Sequence, residues 1–289
     1  MAQAIISRRG GGSGYVTITF NGASSLTKRG AAALSVGRGG PSATTVGAYA
    51  LFGGGYGGSY SSVVDAYDIS LIRSTPTALS AARSNLAATT VGNYALFGGG
   101  AGTNEEVDAY NASLTRSTPT TLSRSRGYLA ATTVGNYALF GGGSNYSTVD
   151  AYNSSLTRST PTALSAARSN LAATAVGNYA LFGGGMNSDY LARVDAYNTS
   201  LTRSITNNLS QARANVAATT LRSWAFFGGG SSSYAGVEFF YVDNYVKVYP
   251  GTIYKLGSMT TESTSSTMKD VITTAPITGY IKIKDATIN

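Results

Sequence analysis

Histidine and cysteine are both absent from the 289 residues, and this sets the first limit on any chemistry. Without histidine the commonest general base and transition-metal ligand is gone. Without cysteine there is no thiol nucleophile, no disulfide and no thiolate metal site. Carboxylate chemistry is what remains, and glycoside hydrolysis by that route needs two acids converging on one bond. Thirteen acids are available. Four of them, Asp65, Asp108, Asp150 and Asp195, recur in the same VDAY context. A residue that recurs with a repeat serves the repeat, by pairing with a recurring arginine or bonding turn amides. Glu105, Glu106 and Asp189 fall in variable segments, and Asp68 replaces an asparagine. No further set of acids takes equivalent positions, so the sequence reads as a non-enzyme with no catalytic residue, metal or cofactor.

The net charge of +8 would suit nucleic acid, but the bases are spread along the chain. Ten of the twenty-one stand at two recurring places: Arg29, Arg73, Arg116, Arg158 and Arg203, and Arg38, Arg83, Arg126, Arg168 and Arg213. Such spacing favours a structural role over specific nucleic-acid binding, with an anion-binding ring as the alternative.

The elements that position these residues come from an internal repeat. Triple glycines begin at Gly53, Gly98, Gly141, Gly183 and Gly228, at intervals of 45, 43, 42 and 45 residues. AATTV-like and YALFG-like runs precede each one, separated by Gly92-Asn93, Gly135-Asn136, Gly177-Asn178 or Gly47-Ala48. Glycine supplies the positive φ a two-residue hairpin turn needs, so these runs are expected to be strands a and b. The triplet ends strand b, where the VDAY tyrosines (Tyr67, Tyr110, Tyr152, Tyr197) are expected to cover it as they open strand c. SLTRSTPTALSAAR or a variant follows, with Pro76, Pro119 and Pro161 expected to lead into an edge strand d. A period in the low forties is the length of a four-stranded propeller blade.

A glycine doublet after an apolar strand, a variable loop, an acid-x-Tyr step and a later arginine together resemble the kelch repeat family. The resemblance spans roughly residues 16–230 and implies an all-β propeller. Kelch repeats usually carry a tryptophan in the outer strand. These copies have leucine or threonine there, and the sole tryptophan, Trp224, lies elsewhere. Propeller glycosidases, sialidases and oxidases are disfavoured. The Ser-x-Asp-x-Gly-x-Thr box is missing, and a copper-radical site would require the absent Cys and His.

Residues 24–38, SSLTKRGAAALSVGR, match SSLTRSTPTALSAAR at 154–168. Val16–Arg38 is therefore expected to supply strands c and d to the last blade and close a five-bladed ring. Six blades are the alternative, with 242–257 as a c/d pair. Residues 1–15 form an N-terminal arm, 16–230 the propeller, and 231–289 a small C-terminal β module or final blade strands. Ala4-Ile5-Ile6 is too short for a signal-peptide core, and no apolar run would span a membrane. The expectation is cytoplasmic synthesis without membrane insertion.

The repeats differ most after the triplet, in 56–63, 101–106, 144–148, 186–193 and 231–236. Tyr56, Tyr60, Asn104, Asn145, Tyr146, Asn187, Tyr190 and Tyr234 give these loops the tyrosine and asparagine content of adaptable binding surfaces. The competing reading is free drift of polar surface loops. The ends, MAQAIISRRGGG and TGYIKIKDATIN, resemble tail-associated proteins of phages of Gram-positive bacteria. That resemblance implies a virion component that binds a bacterial surface glycan or a neighbouring virion protein, with homo-oligomers possible. An intracellular kelch-type adaptor and a free lectin are the alternatives.

Overall fold

The computed structural model describes residues 31–101, 104–231 and 235–242, together with the strand backbone of Gln3–Ser7, Thr17–Asn21, Tyr245–Val246, Met259–Thr260, Thr267–Met268 and Ile281–Lys282. In chain order, β1 is Gln3–Ser7 and β2 is Thr17–Asn21. Sheet I holds β3 (Ser42–Val46), β4 (Tyr49–Gly53), β5 (Val64–Tyr67) and β6 (Arg73–Ser74). Sheet II holds β7 (Ala87–Val91), β8 (Tyr94–Gly98), β9 (Val107–Asn111) and β10 (Arg116–Ser117). Sheet III holds β11 (Ala130–Val134), β12 (Tyr137–Gly141), β13 (Val149–Asn153) and β14 (Arg158–Ser159). Sheet IV holds β15 (Ala172–Val176), β16 (Tyr179–Gly183), β17 (Val194–Asn198) and β18 (Arg203–Ile205). Sheet V has three described strands, β19 (Ala217–Leu221), β20 (Trp224–Gly228) and β21 (Val237–Tyr241).

The fold is all-β, and each sheet is an antiparallel up-and-down unit of the kind that forms a propeller blade. Register is fixed by the two-residue turns. Gly92, Gly135 and Gly177 take φ of 52–54°, a conformation open to glycine at little cost. The turn from strand c to strand d is built differently. Asn111 Oδ1 accepts the amides of Ser113 and Thr115, and Asn153 and Asn198 do the same in their sheets. Asp68 replaces asparagine without loss, since its carboxylate accepts from the amides of Ser70 and Ile72. Leucine then adopts positive φ at Leu114, Leu156 and Leu201. Each packs on the apolar cluster shared with the preceding sheet, which offsets the strain.

Consecutive sheets stack through strand a, where Thr89 and Thr133 hydroxyls meet at 2.9 Å and Thr174 and Thr220 at 2.6 Å. The core lies between sheets. Phe97, Phe140, Phe182 and Phe227 each lie over the first glycine of the preceding triplet. A Cβ on Gly53, Gly98, Gly141 or Gly183 would come within 2.6–2.8 Å of that ring. The glycine is therefore the seat of the next sheet's phenylalanine, not of the VDAY tyrosine. Tyr110, Tyr152 and Tyr197 instead stand edge-on to the phenylalanine of their own sheet at about 6 Å. Their hydroxyls donate to the carbonyls of Thr77, Thr120 and Thr162 in the preceding connection.

Three expectations are corrected. Strand d is the short Arg–Ser step, and the prolines follow it in the connection rather than lead into it. Sheet V takes strand c from its own sequence, with Val237–Tyr241 paired to β20 in the register of the other sheets. The N-terminal strand Thr17–Asn21 pairs with Gln3–Ser7, not with sheet V. The remaining expected elements of 16–38 and 242–289 lie largely outside the described residues.

Candidate functional site

The recurring charges hold each sheet to the connection before it. Asp108, Asp150 and Asp195 accept at 2.6–2.7 Å from Arg83, Arg126 and Arg168, and every member of these pairs is fully buried. Asp65 and Arg38 pair at 2.9 Å. The same carboxylates take the amides of Ser35, Ser80, Ser123 and Ser165, while the arginines donate a second bond to the carbonyls of Phe52, Phe97, Phe140 and Phe182. A second arginine approaches from strand d: Arg73, Arg116 and Arg203 at 3.3, 3.3 and 2.8 Å. In sheet V, Glu238 replaces the aspartate and reaches Arg213 at 2.8 Å.

Burial acts to raise the Asp65 carboxyl, yet hydrogen bonds from Ser35 and the Arg38 guanidinium hold it below the ordinary carboxylate value. Glu238 is held down in the same way by Ser210 and Arg213. Burial pushes Tyr110, Tyr152 and Tyr197 up, helped by the neighbouring aspartate, so each phenol stays a donor. A cleft of about 430 Å³ between sheets IV and V is lined by Val176, Leu181, Ile205, Phe240 and others, with no acid among them. Among the described residues no three acids gather as metal ligands.

The loops after the triplets lie together with the turns that precede strand a. The amides of Tyr56, Ala101, Ser144, Met186 and Ser231 donate to the carbonyls of Gly39, Ser84, Gly127, Ser169 and Ala214. Those turns are linked to one another. Tyr128 donates to the Asn85 carbonyl, Asn170 to Tyr128 and Asn215 to Asn170, each at 2.9 Å, all four at φ of 52–59°. The result is a continuous surface on which every loop is anchored at its base.

Tyr56, Tyr60, Tyr146 and Tyr190 are exposed on this surface. Tyr56 and Tyr60 stack edge-on at 5.7 Å across a small bridge that Met186 and Tyr190 repeat in sheet IV. Arg124 sits over the Tyr146 ring at 5.2 Å, a cation–π pair. The three asparagines expected at the site serve the loops. Asn104 donates to the Ala101 carbonyl, Asn145 binds Ser169 of the next sheet's connection, and Asn187 accepts from the Asp189 amide. Tyr234 lies outside the described residues. One residue escapes sequence reasoning: Tyr128, exposed on the same surface from a preceding turn. Its signal was SRSRGYLA in place of SAARSNLA, which also introduces Arg124.

The chain matches no family model and no curated protein.

Proposed function

We propose that this chain is a non-catalytic adhesive propeller of a phage or phage-tail-like particle. Its loop surface engages a host surface glycan or a neighbouring virion protein. One observation carries the reading. Sheets II to IV repeat the same ion pairs, ring contacts and register, while the loops they anchor differ, and Tyr146 and Tyr190 are exposed on two of them. A rigid framework with aromatic tips is how a scaffold separates folding from recognition. Flat phenol faces beside amide and hydroxyl groups suit the apolar faces and rims of sugar rings. Burial of the recurring acids in arginine pairs supports a framework role for them.

The test is adsorption of labelled protein to Gram-positive host cells and to particles lacking it. Tyr56, Tyr60, Tyr128, Tyr146 and Tyr190 would be changed to serine singly and together. Each engaged tyrosine should weaken binding by about 1–2 kcal/mol, roughly five- to thirtyfold. Unchanged adsorption by the fivefold variant, with its melting temperature retained, would remove the loop surface from consideration. Loss of particle binding alone would identify the virion partner, and loss of cell binding alone the glycan.

A further inference from the structure

In sheet III, the face turned to the next sheet is buried; in sheet V the same face is bare. Leu221, Trp224, Val237, Phe239 and Tyr241 are all exposed, Phe239 by 53% and Trp224 by 41%. Among the described residues no phenylalanine is seated on Gly228, and a Cβ there would meet Val237 at 3.4 Å. At the other end, Ala50, Phe52 and Tyr67 of sheet I are only half-buried, where Ala95, Phe97 and Tyr110 of sheet II are buried. If sheets V and I covered each other, neither face would be open. The array has room for another unit.

The start of the chain has the form of that unit. β1 and β2 pair Gln3↔Asn21, Ala4↔Phe20, Ile5↔Thr19, Ile6↔Ile18 and Ser7↔Thr17. β12 and β13 pair Tyr137↔Asn153, Ala138↔Tyr152, Leu139↔Ala151, Phe140↔Asp150 and Gly141↔Val149. The two ladders coincide position for position, including the closing asparagine and the aromatic before it. Downstream, Ala32 accepts the Tyr67 hydroxyl at 2.7 Å, Ser35 bonds Asp65, and Arg38 bonds Asp65 and the Phe52 carbonyl. These are the contacts Thr77, Ser80 and Arg83 make with sheet II. The chain therefore reaches sheet I as it reaches every other sheet, from a preceding unit.

We infer that β1 and β2 are strands b and c of a sixth unit that covers the bare face of sheet V, with Ile6 at the register position that phenylalanine holds in the other sheets. The register positions fit this occupant. Ala4, Ile6, Ile18 and Phe20 hold the register positions of Ala138, Phe140, Asp150 and Tyr152, and all four are apolar. Ile18 holds the position of the buried aspartate. That substitution is coherent. An aspartate at that register position is paired with a buried arginine in sheets II to IV, whereas an isoleucine needs no such partner.

The cysteine-free chain and its single tryptophan make this testable. Acrylamide quenching of Trp224 should be weak in the monomeric full chain, at least twofold stronger in Ile6→Asp, and independent of protein concentration. Independently, Ile6→Cys combined with Val237→Cys should give an intramolecular product with a short bis-maleimide, whereas Ile6→Cys with Ser188→Cys should not. This pair of mild substitutions decides the matter even if Ile6→Asp fails to fold. Trp224 quenched equally in both chains, or cross-links formed only between chains, would overturn the inference, the latter assigning the face to a second copy.

Discussion

Sheets III and V share a register and differ in what surrounds them. In sheet III both faces are covered, and the residues are those of sheets II and IV almost letter for letter. In sheet V, leucine becomes Phe226, alanine becomes Phe239, tyrosine becomes Trp224 and aspartate becomes Glu238. Backbone pairing tolerates all of this, because the ladder is made by the main chain and fixed by the turn. What constrains a repeat letter by letter is the sheet packed against it. A small alanine or glycine is required only where a neighbour's phenylalanine must approach. Divergence in a repeat array therefore marks the places where the neighbour changes.

The comparison breaks most sharply at the ion pairs. Asp150→Ala strands the fully buried Arg126 and should cost about 3–5 kcal/mol. Glu238→Ala removes a carboxylate that keeps 22% of its side-chain exposure, where water already screens part of the interaction. It should cost about 1–3 kcal/mol. Urea denaturation of the two variants gives both values, and equal losses would mean that the Glu238 ion pair is as enclosed as that of Asp150.

The glycine seats come next. Gly141→Ala places a Cβ 2.7 Å from Phe182, between sheets that cannot both relax, and should cost about 1–3 kcal/mol. Gly228→Ala meets a Val237 methyl at 3.4 Å, and with an isoleucine instead of a phenylalanine ring at the facing register position it should cost less than Gly141→Ala, about 1 kcal/mol. A thermal melt of each variant checks the order, and a reversed order would refute the seating of phenylalanine on glycine.

Strand pairs a–b and b–c were legible because alternation and turn glycines are local. The structural role of the recurring aspartates was legible too, since anything repeated with the framework belongs to it. What was not legible depends on neighbours. The covering of Gly53 by Phe97 joins residues one whole repeat apart, and nothing near the glycine names its partner. The last strand c was sought in Val16–Arg38, with 242–257 as the alternative. The strand lies at Val237–Tyr241, where glutamate, phenylalanine and tyrosine preserve the chemistry instead of the letters. Gln3–Ser7 keeps only apolar alternation, and its equivalence to YALFG emerges from register alone. Tyr128 was missed because the variable segments were sought only after the triplets, while the surface is made jointly with the turns before strand a.

The smallest effects separate the two sets of tyrosines. Tyr152 is buried and donates to the Thr120 carbonyl at 2.8 Å while standing edge-on to Phe140. Tyr152→Phe keeps the ring contact and removes only the donor. It should cost about 1–2 kcal/mol, because a carbonyl in a sheltered place loses its partner. Tyr60 and Tyr190 are exposed by 48% and 43%, at the tips of loops whose bases are held by backbone bonds. Tyr60→Ser and Tyr190→Ser should leave stability within about 0.5 kcal/mol. Differential melting of the three variants measures this directly. If Tyr190→Ser destabilises as much as Tyr152→Phe, the loop tyrosines are part of the framework, and their differences between repeats would reflect packing instead of recognition.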